Sequence, residues 1–423
     1  MPRYCADEKL NFKQINNVCV VIIYPMSTPP AADIKLRLEQ NWLRYLMANS
    51  AKLSMDTLDG SSPPSVFVGR YGYPKVSIGP MIPPAHGDTT VMDRTEMWVG
   101  KSLEEIAGFR LSLVRGVASV NARDVTGRYV ESLQELAMSD RPAESEATFE
   151  KRPLADTDLE RELRLNTESA PFGPAAPIKT FKTSSSLSAD QRIESAFYDS
   201  DLKASDAVVE LYKKGVDSSS IHKVLSVGML GIKKNRKLVP TRWSITAADD
   251  MISSRLVREN DASANSIDLF EVRQYSHLGN YYSVVMMPDS VWSFEMIESW
   301  YASDGKMAVC ADYEVARGLD HYPSIAGAYF SARLAVAEHL SRRRKKASVL
   351  VLREIHPEYV MPVGVWQIRE GVREAMKKPA RTFDGIDAAL AFACSTMSQS
   401  RSNILQHSRL YRTLRSQTRI TDY

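Results

Sequence analysis

The sequence predicts an α+β protein, with two mixed domains of short strands and packed helices and then a flexible basic tail. Three observations lead there. At 423 residues the chain exceeds what one ordinary core organises. Its apolar share of 44% and charged share of 25% are those of a globular protein. Short β-branched or glycine-punctuated runs alternate with helical periods in both halves.

Taken in order, "VCVVIIY" (Val18 to Tyr24) reads as a buried strand. Residues Ala32 to Leu53 set Ile34, Leu38, Trp42, Tyr45 and Leu46 on one side of a helix. The glycine- and proline-rich run from Gly60 to Pro84 holds the short strands "SVFVGR" and "KVSIGP", and helices follow from about Leu103 to Leu113 and Arg128 to Met138. Residues 139–184 are polar, charged and proline-rich, and suit either a connection between domains 1–138 and 185–394 or an ordered surface excursion. Ser188 to Leu230 is helical in pattern, and "SIDLFEVRQY", "YYSVVMMP" and "WSFEMIESWY" have strand character. A helix from about Ser324 to Lys346 ends in a basic cluster suited to its negative pole, and "ASVLVLREI" is a buried strand. Residues 395–423 form the tail, with five arginines against one acid, Asp422.

Composition removes several function classes. With 54 basic and 51 acidic residues the net charge is +3, so nucleic-acid binding would need local patches. Cys5, Cys19, Cys310 and Cys394 form no CxxC pair and read as reduced thiols, with no metal and no cofactor expected. "VCVVIIY" is too short for a membrane span, and Asp7 and Glu8 before it argue against a signal peptide. The chain has no GxSxG, HExxH or P-loop, so catalytic residues stay unassigned.

Four stretches could carry a site. "GRYGYP" places Gly69, Arg70, Tyr71, Gly72 and Tyr73 together, fitting either a tight turn or a loop that brings backbone and an arginine to a phosphate. Lys233, Lys234, Arg236, Lys237 and Arg242 beside Trp243 suit phosphate neutralisation with base stacking, or else a solvated loop leading into a helix capped by Ser244 or Thr246. Asp320 and His321 sit among acidic groups at spacings that match no metal signature. Arg353 and Glu354 close a strand, and Glu370 with Arg373 suits a helix-surface ion pair.

Read together, "FVGRYGYPKVSIGPM", "KLVPTRWSITAADD", "GAYFSARLAVAEHLSRRRKKASVLVLREI" and "YVMPVGVWQIREGVREA" resemble the archaeal Nre family of DNA repair proteins across roughly residues 15 to 385. The resemblance implies an Nre N-terminal domain in 1–138, an Nre C-terminal domain in 185–394, a part in the DNA damage response, and a cytoplasmic, nucleoid-associated setting. Many members begin with a cysteine-rich, zinc-finger-like segment; this chain has only Cys5 and Cys19 there.

The family is also known for a C-terminal motif that binds the sliding clamp, PCNA. Such a peptide places glutamine in a small polar pocket and an aliphatic and an aromatic residue, one helical turn apart, in an apolar one. Gln417, Ile420 and Tyr423 fill these roles, without the pattern's second aromatic. The expected function is therefore a clamp-recruited repair protein that contacts DNA. The alternative is an enzyme acting on nucleotides, nucleic acid or a repair-pathway protein, with a pocket built from GRYGYP and PTRWSIT.

Overall fold

The computed structural model describes residues 29–154, 172–184, 187–301 and 307–416. The expected strand Val18 to Tyr24, Cys5, Cys19, Gln417, Ile420 and Tyr423 lie outside them. The chain forms two compact units, Asp33–Ile252 and one containing Ser253–Tyr423.

In the first unit, helix α1 (Pro29–Leu53) buries Leu38, Trp42, Leu46 and Leu53 along one stripe, as its periodicity predicts. Strands β1 (Thr57–Ser62), β2 (Val66–Val68) and β3 (Lys75–Ile82) follow, then helix α2 (Leu103–Leu111), strand β4 (Val114–Asn121) and helix α3 (Arg128–Met138). Helix α2 opens on a capping box in which Ser102 and Glu105 each accept the other's backbone N–H. Strands β5 (Ala143–Phe149) and β6 (Ala175–Thr183) complete a sheet ordered β1-β5-β6-β4-β3-β2, in which β4 and β6 alone run parallel. Helices α4 (Gln191–Tyr198), α5 (Ala204–Lys213) and α6 (Ser218–Ser226) account for the helical pattern after Ser188.

Two strands of this sheet come from the polar stretch 139–184. In β5, Ala143, Ser145, Ala147 and Phe149 point inward, while Glu144 and Glu146 face solvent. Small and polar inward residues conceal the period of two, so composition leaves a connection or a surface excursion open where the chain makes two strands of a sheet. The unit begins within α1, at Asp33, and ends within helix α7 (Thr241–Ser263), between Ile252 and Ser253.

The second unit is a mixed sheet between two helical layers. After β7 (Asn265–Ser266) come β8 (Phe270–His277), β9 (Asn280–Met287), β10 (Ser293–Tyr301) and β11 (Met307–Val315), then helix α8 (Gly327–Arg343), β12 (Lys345–Lys346) and β13 (Ser348–Ile355). Helix α9 (Trp366–Lys377), β14 (Arg381–Phe383) and α10 (Ile386–Ala393) follow. The six-stranded sheet is ordered β11-β10-β13-β9-β8-β14, with β10 and β13 parallel. Every residue of β13 is buried, as expected of a strand covered on both faces.

One face lies under α8 and α9. Phe294 meets Tyr329 of α8 edge to face at 5.1 Å, and Tyr282 donates from its hydroxyl to Gln367 of α9 at 2.6 Å. Gly371 makes that close approach possible, because a Cβ there would come within 2.4 Å of the buried Tyr282 ring. Glu370 and Arg373 do pair, at 2.8 Å, but Arg373 also reaches Glu338 of α8 at 2.6 Å, so the pair joins two helices instead of decorating a surface.

The opposite face carries α10, α11 (Arg401–Leu405) and α12 (Arg409–Ser416), packed through Leu390, Ile404, Leu405 and Leu410 onto Val285, Ile297, Leu350 and Leu352. Residues 401–405 and 409–416 of the basic tail are therefore folded helices. Two buried glutamates fasten the segment. Glu354 accepts from the backbone N–H groups of Ser398 (2.8 Å) and Gln399 (3.1 Å). Glu295 accepts from those of Arg409 (2.6 Å) and Leu410 (3.1 Å) and from the Ser408 hydroxyl. Burial pushes the Glu295 carboxyl above the usual carboxylate range, with these hydrogen bonds opposing it. Burial acts the same way on Glu354, but the bonds from His356, Ser398 and Gln399 outweigh it and hold that carboxyl below its ordinary value.

Two expectations follow from this unit. Replacing Glu295 by alanine leaves two helix N–H groups buried without an acceptor, and should cost about 2–4 kcal/mol of stability. Hydrogen exchange should rise across residues 398–416; unchanged exchange there would refute the fastening role. Separately, burial and the charges of Arg273, Arg343 and Arg342 push His339 down from 6.5 to about 4, with Glu271 opposing them. The Arg343 guanidinium donates to His339 Nε2 at 3.3 Å, which requires the neutral ring. A depressed histidine makes the unfolded state the better proton binder, so its stabilising contribution should fall as pH drops from about 6.5 toward 4. Histidine NMR titration checks this, and a His339 midpoint near 6.5 would contradict it.

Candidate nucleic-acid interface

Within the Asp33–Ile252 unit, backbone hydrogen bonds bring the two motifs together. The Ala122 N–H donates to the Pro74 carbonyl at 2.7 Å, and the Leu238 N–H donates to the Ala122 carbonyl at 2.7 Å. The "GRYGYP" loop, the end of β4 and the basic loop before α7 are thus joined in series. A side chain adds a further tie, because Thr241 Oγ1 accepts from the Val68 N–H at 2.9 Å and lies 3.4 Å from the Ser226 hydroxyl. The result is an aromatic contact between motifs more than 160 residues apart in sequence: the rings of Tyr73 and Trp243 lie 5.5 Å apart at 53°.

The loop is a turn closed by the Lys75 N–H donating to the Gly72 carbonyl at 2.9 Å. Gly72 has φ +80, a left-handed conformation that a side chain would strain. Turn and contact surface are therefore compatible readings of the same glycine-rich stretch. The side chains point outward: Tyr71 is 73% exposed, Tyr73 41% and Trp243 43%. The Arg70 guanidinium lies 4.9 Å over the Tyr71 ring and donates to its hydroxyl at 3.1 Å. Lys75, Arg123 and Arg242 are exposed, and Lys237 is half-buried.

Other expected contacts stand differently. Arg236 is structural, donating to the carbonyls of Gly231 (2.8 Å), Phe197 (2.8 Å) and Asp199 (2.9 Å) and stacking on Phe197. Lys233 and Lys234 are exposed on a single 3-10 turn. Helix α7 begins at Thr241, earlier than Ser244 or Thr246, so Arg242 and Trp243 occupy its first turn. Asp320, His321, Arg353 and Glu354 belong to the other compact unit. Asp320 and His321 are exposed and paired at 2.6 Å. Arg353 and Glu354 are buried on opposite faces of β13, where Arg353 bonds Asn280 and Glu298 and Glu354 holds His356 at 2.7 Å. These two residues are buried and bonded within the fold.

Residue-level reading of the sequence misses Thr241, Ala122 and Ser226, whose role depends on contacts distant in sequence. It also misses His86, which bridges Glu144 (2.7 Å) and Asp59 (3.0 Å) on the surface and is raised above its ordinary pKa, chiefly by the Glu144 bond. Among the described residues, no group of three or more histidine, cysteine, aspartate or glutamate side chains is arranged to hold a metal ion, and no helix is long and apolar enough to cross a membrane. Two cavities, of about 10 and 50 Å³, lie against Trp292 and Trp42, and neither is lined by Tyr73 or Trp243.

Residues 40–304 match the family described as Archaeal Nre, N-terminal, and residues 314–423 match Archaeal Nre, C-terminal. The chain belongs to the archaeal Nre family. This Nre chain is 40% identical over 338 residues to DNA repair protein NreB of Archaeoglobus fulgidus, covering 79% of itself and 83% of that protein. It is 35% identical over 356 residues to DNA repair protein NreA of the same organism, covering 83% and 88%. With DNA repair protein NreA of Haloferax volcanii it shares 34% identity over 336 residues, covering 76% and 79%. No solved structure matches it.

The Thr241 tie carries its own prediction. Thr241→Val preserves shape but leaves the Val68 N–H without its acceptor, an expected loss of about 1–2 kcal/mol. Denaturant unfolding measures the cost, and faster exchange at Val68 would locate it. An unaltered exchange rate would mean that the hydroxyl does not hold the loop.

Proposed function

We propose that this protein acts in DNA repair and that its Asp33–Ile252 unit contacts DNA through Arg70, Tyr71, Tyr73, Arg242 and Trp243. The carrying observation is the meeting of Tyr73 with Trp243, which makes one exposed aromatic and cationic ridge from two distant motifs. Guanidinium groups suit phosphate oxygens and exposed ring faces suit bases. The repair role draws support from the DNA repair proteins to which the chain is related.

Recruitment belongs to the same proposal. Gln417, Ile420 and Tyr423 have the spacing of a peptide that docks on the sliding clamp, PCNA, and the basic residues before them favour an acidic partner. An enzyme acting on nucleotides, nucleic acid or a repair-pathway protein is the second reading, because the motifs that would build its pocket do converge. The exposure of all three rings favours a contact surface over an enclosed pocket.

Two measurements test the main reading. Arg70→Ala with Arg242→Ala should weaken DNA binding and lower the slope of log affinity against log salt by about 2. An unchanged slope would remove these arginines from the interface. In calorimetry with the clamp, Tyr423→Ala should weaken binding about thirtyfold, the loss of one aromatic anchor. Gln417→Ala combined with Tyr423→Ala should abolish it, and full binding by that double variant would end the recruitment claim.

A further inference from the structure

We propose that the ridge takes unpaired DNA in preference to duplex, with bases stacked on Trp243 and Tyr73. This deepens, and rests on, the reading of the ridge as the DNA contact.

The angle between the rings carries the argument. At 53° and 5.5 Å the rings of Tyr73 and Trp243 meet without stacking face to face, so the planes of these two partly exposed rings are inclined to each other. Neighbouring base pairs in a duplex are parallel and cover each other's faces. A duplex therefore cannot lay successive bases on two inclined rings, and its base faces are already occupied. A single strand can splay its bases and offer one to each ring.

The ridge is also fixed before any ligand arrives. Thr241, Ala122 and the Gly72–Lys75 turn hold its backbone, so little freedom is lost when a base docks. Next to Tyr71 and Trp243 in sequence, the exposed Arg70 and Arg242 carry charge that a strand's phosphates neutralise. Arg70 is held against Tyr71, which places its charge beside an aromatic face. Stacking is tolerant of sequence, so the preference concerns strandedness and not the order of bases.

The test uses the full chain and fluorescence anisotropy at one salt concentration, with a labelled mixed-sequence oligonucleotide and its duplex. Wild type should bind the single strand about tenfold or more tightly than the duplex. Trp243→Leu should lower single-strand affinity about tenfold and duplex affinity by a clearly smaller factor. Tyr73→Leu provides a second variant with the same expected pattern should the first disturb the helix. Equal affinity for both forms in wild type, or equal loss on both in the two variants, overturns the proposal. If Arg70→Ala with Arg242→Ala still weakens both forms in that case, the ridge remains the DNA contact and only the strand preference falls. If neither the arginine nor the aromatic variants alter binding to either form, the reading beneath it falls too.

Discussion

Buried charge, and the requirement that it be neutralised, organises the second unit of this protein. Removing an ion from water costs several kcal/mol, which only opposite charge and well-placed hydrogen bonds offset. Arg353, buried in the central strand, is met by Glu298 from the neighbouring strand and by Asn280, while Gln367 reaches in from α9. Arg333 of α8 is met by Glu314, which also accepts from the Trp292 indole, and by the hydroxyls of Ser253 and Ser254. Each arrangement draws its members from several elements, so strands and helices must all be seated before the charges are satisfied. The same logic folds the basic segment onto the sheet, because Glu354 and Glu295 find their partners there.

The first unit meets a different requirement, which is to hold polar and aromatic side chains in water without letting them move. Its solution is backbone bonding between loops that sequence separates widely. Pro74, Ala122 and Leu238 are linked in series, and Thr241 closes the assembly against β2. An exposed tryptophan on a helix's first turn then stands beside an exposed tyrosine of a tight loop. Recognition surfaces commonly take this form, with adaptable partners outside and a rigid frame beneath.

What could be read from sequence followed how strongly each element advertises itself. The stripe of Leu38, Trp42 and Leu46 and the unbroken run of β13 each give a period or a run that survives inspection. Strand β5 does not, since serine and alanine take the inward positions that valine or isoleucine would have marked. Charged residues were the harder problem. Arg236, Arg353 and Glu354 look like surface groups until the fold surrounds them, because burial of a charge depends on partners far along the chain. For the same reason Trp243 and the GRYGYP loop were visible as separate motifs, while their contact was not. The family likeness supplied what local patterns lacked, since several long stretches in order say more than any one of them.

The alternation of Arg353 and Glu354 along β13 has a consequence for how the sheet finds its register. The arginine faces Glu298 on one side of the sheet, and the glutamate faces the Ser398 and Gln399 N–H groups on the other. Sliding the strand by a single residue would exchange these sides. Glu354 would then stand against the carboxylate of Glu298, and the guanidinium of Arg353 would meet N–H groups that are themselves donors. An apolar strand could tolerate such a slip, because valine and leucine serve nearly as well on either face. Two neighbouring opposite charges turn the mispaired sheet into a state of like charges and unmet donors, so the strand carries its own parity check.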